Sequence, residues 1–454
     1  MILMGMQETA KQIVKLSLDE GFDEAIASVF DSASTYTKIT NSKVDSIIEK
    51  HNDAGWLYLV SKKRILLINI EDLEEQSVRA KIKAAKKAIS YIKPKDDYFG
   101  IAEGPFKYGF STDADAAIKH VSNDSLSDIA YAAINEAVNN GAVNTAGMLH
   151  TYYTRSAMAS SRNVAAESQS SNARLSLRSF TDDASFQDVH LSQQLAGLSP
   201  MKLGQDTSEM AKSMKETGRI KSGKYDIIFL PSPGGTLVAQ VNDFVVMSEI
   251  EQGSMFTDKL GEKVASKNVT IYDSGDTREM VGVSPYDAEG YPTQTTPVIE
   301  DGVLKNYLHN YTTALKYKTK STGNAGLINP EPNAMIFRYR KTVKDIDALV
   351  AKVDKGVIVT NAWYTRYSNY LTGDFSTMPR DLAIYVENGE RKFSIRQGSV
   401  KSMIGIRVTD NMIKMLNNIE CATKDTVQTT SWDANGTPCI APSMLVRDSE
   451  ITAV

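Results

Sequence analysis

The chain has 454 residues, and its 42% hydrophobic and 23% charged content is that of an ordinary globular protein rather than a disordered or fibrous one. Its 51 lysines and arginines against 55 aspartates and glutamates give a net charge of −4, which excludes the basic surplus of a non-specific nucleic-acid binder. Two cysteines without Cys-x-x-Cys spacing, no signal-peptide pattern and no apolar run near ~18 residues together predict a cytoplasmic protein without a membrane partner.

Residues 1–104 are predicted to form an N-terminal α+β domain. The stretch ETAKQIVKLSLDEG reads as an amphipathic helix, and the alternating apolar and polar residues between 24 and 70 read as antiparallel strands. A second helix is predicted where Val78, Ile82, Ala85 and Ile89 recur every three or four residues, because Pro94 then stops the pattern.

Residues 105–220 are treated as a middle region. SLSDIAYAAINEAVNNG is predicted to be a helix that ends near Gly141. The Ser- and Asn-rich sequence that follows alternates too regularly for disorder, so ARLSLRSF and DVHLSQQL are predicted to be strands of a sheet with one solvated face.

Residues 221–454 are predicted to form a larger, strand-rich C-terminal domain, and the fold class is therefore α+β. The run KYDIIFL leads into PSPGG and a helix predicted over 234–250. Asp301-Gly302 and Asn388-Gly389 are hairpin-turn signals. The methionine-rich stripe in DNMIKMLNNIECA, with Met412 and Met415, indicates core packing.

A search for catalytic motifs finds none. The five histidines, which are His51, His120, His150, His190 and His309, lie too far apart in sequence for an H-E-x-x-H zinc helix. The sequence contains neither a G-x-S-x-G elbow nor a phosphate-binding loop. Zinc ligands dispersed along the chain, such as His150, His190 and His309, stay open as an alternative.

Four stretches read in order resemble the TldD/TldE family, whose TldE-type member is also called PmbA. They are SPYDAEGYPTQTTPVIEDGVLKNYL, KSTGNAG, LTGDFS and LAIYVENGE. The resemblance implies a pair of related subunits that form a zinc metallopeptidase. In the TldD-type subunit, an H-E-x-x-x-H helix follows a strand and a Pro/Gly turn, and a cysteine near the C-terminus completes the zinc site.

The resemblance places AQVNDF where the family has its zinc helix. Ala239 takes the place of the first histidine, Gln240 that of the glutamate and Phe244 that of the second histidine. Trp432 falls on the cysteine position, whereas Cys439 lies seven residues beyond it. A methyl group and a phenyl ring cannot coordinate zinc, and a neutral amide cannot act as a general base. We therefore expect no catalytic residue, no metal ligand and no cofactor in this chain, with zinc in a TldD-type partner.

The resulting hypothesis is a non-catalytic, TldE-like subunit that pairs with a TldD-type subunit and helps bind extended or unfolded peptides. Thr372, Gly373, Asp374 and Phe375 are candidate residues of the peptide cleft. A homodimer is expected to be geometrically accessible when the partner is absent. Two alternatives stay open, namely a metallopeptidase in its own right and a regulatory protein, since the family is also described as a modulator of DNA gyrase.

Overall fold

The structure is a computed structural model that describes residues 5–110, 114–182, 184–214, 216–395, 405–431 and 436–453. Within these ranges, helices α1–α10 are Met6–Asp19, Glu75–Ala88, Ala116–Lys119, Asn123–Asn139, Pro200–Lys212, Pro231–Phe244, Met247–Gln252, Tyr311–Lys316, Ile346–Val350 and Met412–Asn418. Two short 3-10 helices span Ile89–Tyr91 and Leu195–Gly197. None of the helices in the described ranges has the length and apolar character needed to cross a membrane.

The strands in the described part of the chain belong to three sheets. In chain order, β1–β23 are Glu24–Thr40, Lys43–Ser61, Arg64–Ile70, Asn144–Ser160, Ala165–Phe180, Ser185–Ser192, Thr217–Gly218, Gly223–Phe229, Val269–Ser274, Thr295–Glu300, Val303–Leu304, Ala334–Tyr339, Thr342–Val343, Lys355–Val359, Ala362–Asn369, Asp374–Pro379, Ala383–Glu387, Glu390–Ile395, Ile406–Asn411, Ile419–Thr423, Val427–Thr429, Cys439–Ala441 and Met444–Ala453. The combination of helices with largely antiparallel sheets confirms the α+β class.

The first sheet is antiparallel, with strand order β3-β2-β1-β4-β5-β6. Side chains alternate between its two faces, and one face carries the apolar residues that pack under α1, α2, α4 and α5. Strand β1 pairs with β4 over most of its length, so residues 1–104 and 105–220 share one sheet. The boundary between these two segments remains a prediction.

This sheet is built from two structural repeats, each with the order helix, three strands, helix. The first repeat is α1-β1-β2-β3-α2 and the second is α4-β4-β5-β6-α5, and they meet at β1 and β4. Gly21 follows α1 and Gly141 follows α4, with φ of 89° and 90°. Lys86 of α2 donates a hydrogen bond to the Gly21 carbonyl, and Lys212 of α5 does the same to the Asn140 carbonyl. The two halves therefore repeat the same helix ending as well as the same order of elements.

The C-terminal region contains the other two sheets. One has the order β11-β10-β9-β12-β22-β21, and the other runs β15-β16-β19-β23-β8-β14-β17-β18-β7, with β20 joining β13 to β23. Helix α6 contributes Leu237, Val238 and Val241 to a buried cluster that also contains residues of both sheets. This position fixes the helix as a core element of the region.

Several local predictions are confirmed. Asp301-Gly302 and Asn388-Gly389 have positive φ and connect β10 to β11 and β17 to β18. Met412 and Met415 are fully buried. The helix predicted over 234–250 is wrong at both ends: α6 begins at Pro231, since proline is tolerated in a first turn, and it ends at Phe244. The backbone is extended at Val246, where a bridge to Leu308 interrupts the helix before α7.

Candidate functional site

The Pro/Gly turn at the start of α6 brings the helix close to its neighbours. A Cβ atom added to Gly235 would lie 2.7 Å from Cys439 Sγ and 2.9 Å from Ala441 Cβ. An added Cβ at Gly234 would lie 3.1 Å from Phe229 Cβ. Glycine is therefore required here by close packing of the helix against β8 and β22. This contact also accounts for the full burial of the Cys439 thiol, and burial raises the pKa of that thiol to about 12.

The three α6 residues at the expected zinc-motif positions are engaged in packing or offer only an amide. Ala239 is buried in the core. The Phe244 ring packs edge-on against Tyr367 of β15, with ring centroids 4.6 Å apart, and its centroid lies 5.9 Å from that of Tyr370. Gln240 is half-buried, and its buried Oε1 atom has no hydrogen-bond partner among the described residues. Aromatic packing therefore covers the position at which the family motif would place a second histidine.

The remaining polar residues of this helical turn have separate roles. Asn242 is fully buried and donates hydrogen bonds to the Tyr272 carbonyl at 3.4 Å and to Asp273 Oδ1 at 3.3 Å. Asp243 is exposed to solvent, and desolvation by the surrounding protein, followed by the charges of Glu249 and Asp273, raises its pKa to about 6. This turn of α6 thus presents the Asp243 carboxylate to solvent, while the Asn242 amide anchors the helix to Tyr272 and Asp273.

Asp273 is the centre of a buried hydrogen-bond network behind α6. Besides Asn242, it accepts hydrogen bonds from Asn324 Nδ2 at 2.8 Å, from the Asn333 backbone at 2.7 Å and from Asn333 Nδ2 at 3.0 Å. Asn324 belongs to the KSTGNAG stretch that carried part of the family resemblance. Burial raises the pKa of Asp273 to about 6, although these four donors oppose the shift. The network ties the helix, this loop and strand β9 together.

Trp432, predicted at the cysteine position, lies outside the described residues. The adjoining residues show where that segment attaches. Ser232 Oγ, in the first turn of α6, donates to the Thr430 carbonyl at 3.2 Å, and Arg174 of β5 donates to the Ser431 carbonyl at 3.2 Å. Thr430 and Ser431 therefore lie between the first turn of α6 and the first sheet.

The predicted cleft residues 372–375 form the end of the β15–β16 hairpin. Thr372 is exposed, Gly373 has a φ of 82°, and Asp374 accepts from Thr372 Oγ1 at 2.5 Å and from Asn411 Nδ2 at 2.9 Å. Phe375 is buried against Tyr367. The role of these four residues in a cleft remains a prediction, and their structural role is a hydrogen-bonded turn with an apolar anchor.

The alternative ligand set of three histidines is not brought together. His150 is opposite Arg174 in the β4–β5 register, and His190 is opposite Leu175, the next residue of β5. Since neighbouring residues of a strand point to opposite faces, His150 and His190 lie on different faces of the sheet. His309 lies elsewhere, beside α8, with Nδ1 3.3 Å from Thr313 Oγ1. Among the described residues, no group of three His, Cys, Asp or Glu side chains could hold a metal ion.

The residues at the expected motif positions therefore do not fit zinc. Zinc requires three or four nitrogen, sulfur or oxygen donors around one point. Ala239 and Phe244 offer no lone pair, Cys439 is enclosed by helix packing, and the Gln240 amide is a poor ligand.

Comparison with known proteins establishes the family. Residues 222–453, more than half of the chain, match the model of the PmbA/TldA metallopeptidase C-terminal domain. The chain belongs to the PmbA/TldD family. A metalloprotease of Methanothermobacter thermautotrophicus is 28% identical over 225 residues, which cover 48% of this chain and 47% of that protein. The chain thus spans about half the length, or less, of the curated relatives it matches, and these include proteins named PmbA and proteins named TldD.

Two solved structures share the fold of the PmbA/TldD chain over nearly its whole length. A proposed modulator of a DNA gyrase from Thermotoga maritima has a TM-score of 0.83 and 21% identity, and covers 99% of this chain and 100% of its own. TldE from Thermococcus kodakarensis has a TM-score of 0.82 and 18% identity, and covers 98% of this chain and 100% of its own. At these identities the likeness concerns the fold alone.

Sequence reasoning missed two features of the site. The first is Tyr367, which covers Phe244 from a strand more than a hundred residues away in sequence. The second is Arg174, which connects the first sheet to Ser431. Neither residue belongs to a motif, so only the alternation of ARLSLRSF, which places Arg174 opposite to the apolar face, carried a signal.

Proposed function

We propose that this chain is a non-catalytic, TldE/PmbA-like subunit of a TldD/TldE-type zinc metallopeptidase and that it helps bind extended or unfolded peptides. The observation that carries the proposal is the burial of apolar side chains on α6 at the positions expected for zinc ligands. Ala239 and Phe244, at the expected histidine positions, are 4% and 7% exposed and belong to the hydrophobic core. A helix used in this way contributes stability, and the catalytic zinc would be supplied by a TldD-type partner.

Strand β15 is the element best suited to peptide capture. It is the outermost strand of its sheet among the described residues, so one row of its backbone groups faces away from the sheet. Its tip carries Tyr370 and Leu371, which are 59% and 63% exposed, and Tyr364 of the same strand is 52% exposed. An extended peptide could add to this edge through main-chain hydrogen bonds, which tolerate many sequences, with the apolar side chains providing contact area.

Peptide hydrolysis by reconstituted subunits tests the proposal. We expect no hydrolysis by this chain alone and more hydrolysis by the pair than by the TldD-type subunit alone. Labelled peptides with alternate N-methylated amides should bind the pair much less tightly than unmodified ones, since they cannot donate to an edge strand. Equal binding of both peptides, or an unchanged rate on adding this chain, would count against the role.

The proposal also includes a TldD-type partner subunit and a cytoplasmic location. Related subunits with one fold favour a heterodimer with a TldD-type chain, and self-association is the expected state when that chain is absent. The described residues show no framework of disulfides, since Cys421 and Cys439 are both free and buried, which is compatible with a cytoplasmic protein. Sedimentation of the chain with and without its partner would establish the assembly.

A further inference from the structure

The outer edge of strand β2 is only partly covered. Strand β3 pairs with β2 from Gly55 to Ser61, and within the described ranges no other strand lies along the outer side of residues 43–54. Except for Ala54, the side chains of this segment are exposed or half-buried, and Ile48 is 52% exposed. A long row of unpaired backbone groups of this kind is a template for pairing with another strand.

The backbone groups that point out of this edge can be assigned from the turn between β2 and β3. The turn has two residues, both with positive φ, so the flanking residues Ser61 and Arg64 form a hydrogen-bonded pair. The hydrogen-bonding groups of successive residues point to alternate sides of a strand, and the pairing of β2 with its neighbours is regular from Ser46 to Ser61. Because the groups of Ser61 face β3, the odd-numbered residues within 47–53 present their N–H and C=O groups to the open edge.

Two open edges of this kind can pair with each other in an antiparallel, two-fold symmetric arrangement. Outward-facing groups must meet outward-facing groups, so the two-fold axis passes through one residue of each strand. The open segment 43–54 has its midpoint between Ile48 and Glu49, and it is bounded by the β1–β2 turn and by the start of β3 pairing at Gly55. An axis at Ile48 or at Glu49 therefore uses nearly the whole open edge, whereas any other axis shortens the paired segment.

Charge distinguishes these two registers. With the axis at Glu49, the two Glu49 carboxylates would lie directly opposite each other, which is destabilising. With the axis at Ile48, Lys50 lies opposite Ser46, and Glu49 lies opposite Ile47, so the central part of the interface opposes no like charges. The two Ile48 side chains then form a non-hydrogen-bonded pair, in which side chains approach most closely.

The surroundings of Ile48 provide apolar support for this contact. Ile48 lies opposite Tyr36 in the β1–β2 register, so both side chains are on the same face of the sheet. The Tyr36 ring stacks on His150 with ring centroids 4.1 Å apart, and the Lys50 ammonium group lies 5.1 Å from the Tyr36 centroid. A second Ile48 would therefore extend an apolar contact that already rests on packed rings.

We propose that the open edge of β2 pairs antiparallel with the same edge of a second copy of this chain, with Ile48 opposite Ile48. The two copies of the first sheet then form one continuous sheet. This inference rests on the self-association included in the proposed function and assigns an interface to it. The two-fold symmetry closes the assembly at two chains, and the edge of β15, which belongs to another sheet, stays available for peptide.

Disulfide cross-linking of the full-length chain tests the register. Two Ile48→Cys chains would have Cα atoms about 4.5 Å apart, within the roughly 4.4–6.8 Å that a disulfide spans, so mild oxidation should give a covalent dimer. The native Cys421 and Cys439 are buried and should not react. Lys50→Cys alone should give no covalent dimer, since its two copies would be about 14 Å apart, whereas a mixture of Ser46→Cys and Lys50→Cys should cross-link.

Sedimentation over a range of chain concentrations provides a second measurement. Ile48→Lys should abolish the concentration-dependent dimer of the wild type, because two ammonium groups would be opposed at the axis. Met201→Lys is the matched control, since Met201 is 60% exposed on α5, and it should dimerise like the wild type. A dimer that persists in Ile48→Lys would overturn the interface.

The outcomes separate this interface from the proposed function. If Ile48→Cys does not cross-link, or if Lys50→Cys alone cross-links equally well, the edge pairing is wrong, and peptide hydrolysis by the subunit pair still decides the peptide-binding role. If Ile48→Cys and the mixture of Ser46→Cys and Lys50→Cys cross-link, the interface is upheld. Hydrolysis that is unchanged on adding this chain to a TldD-type subunit would then overturn only the peptide-binding role.

Discussion

At the scale of single residues, a substitution of Gln240 tests whether α6 has a structural or a catalytic role. Its buried Oε1 atom accepts no hydrogen bond from the part of the chain that the structure describes, and a buried acceptor left unsatisfied destabilises the fold. Gln240→Leu should therefore either lower the free energy of unfolding by less than about 1 kcal/mol or raise it. Urea unfolding measures this, and peptide hydrolysis by the pair should be unchanged. A large loss of hydrolysis with an intact fold would give Gln240 a direct role in the reaction.

Asp273 predicts a specific pH dependence of stability. Burial raises its pKa from 3.8 to about 6, so the folded chain binds more protons than the unfolded chain between these pH values. Stability should then fall as pH rises from about 4 to about 6, by up to about 3 kcal/mol from this group, and level off above pH 6.

The measurement is urea unfolding of the wild type and of Asp273→Asn across that pH range. Because other buried carboxylates also titrate there, the quantity to compare is the difference between the two proteins, which should depend on pH. Asp425→Asn, at an exposed position of the same region, should follow the wild type. Parallel curves for wild type and Asp273→Asn would contradict the assignment.

At the scale of secondary-structure elements, the repeat in the first sheet places a glycine with the same backbone conformation after α1 and after α4. Gly141 has a φ of 90°, which an L-residue adopts at a cost of about 1–2 kcal/mol. Gly141→Ala should lower the free energy of unfolding by that amount, and Gly21→Ala should do the same. Gly109→Ala is the control, since among the described residues no atom beyond its chain neighbours lies within 4 Å of an added Cβ. Equal stability of all three variants would show that the helix endings are not strained.

Local patterns predicted the elements better than their assembly. Helical spacing identified α2, and Asn-Gly and Asp-Gly pairs identified two hairpins, because these signals depend on neighbours in sequence. Local patterns did not predict the repeat of helix, three strands and helix, because its shared features are tertiary. Lys86 and Lys212, for example, contact glycine turns 65 and 72 residues away in sequence. Likewise, the sequence indicates that Phe244 cannot bind zinc, but the cover provided by Tyr367 depends on tertiary packing.

At the scale of the whole molecule, Lys316 joins the N-terminal segment to the helix that follows α6. Its ammonium group is 2.9 Å from Asp97 and 2.8 Å from Glu251 of α7. Since all three groups are partly exposed, Lys316→Met should lower stability by about 1 kcal/mol or less, and less at high salt than at low salt. Urea unfolding at two ionic strengths measures this, with the exposed Lys320→Met as control. A salt-independent loss would indicate packing rather than charge as the cause.

The division of labour between two related subunits is the central claim, and zinc content together with peptide hydrolysis tests it most directly. The purified chain should contain far less than one zinc per molecule and should not cleave peptides, whereas the pair should hold zinc on the TldD-type subunit and cleave them. Stoichiometric zinc on this chain alone, with peptide cleavage that a chelator abolishes, would contradict the account.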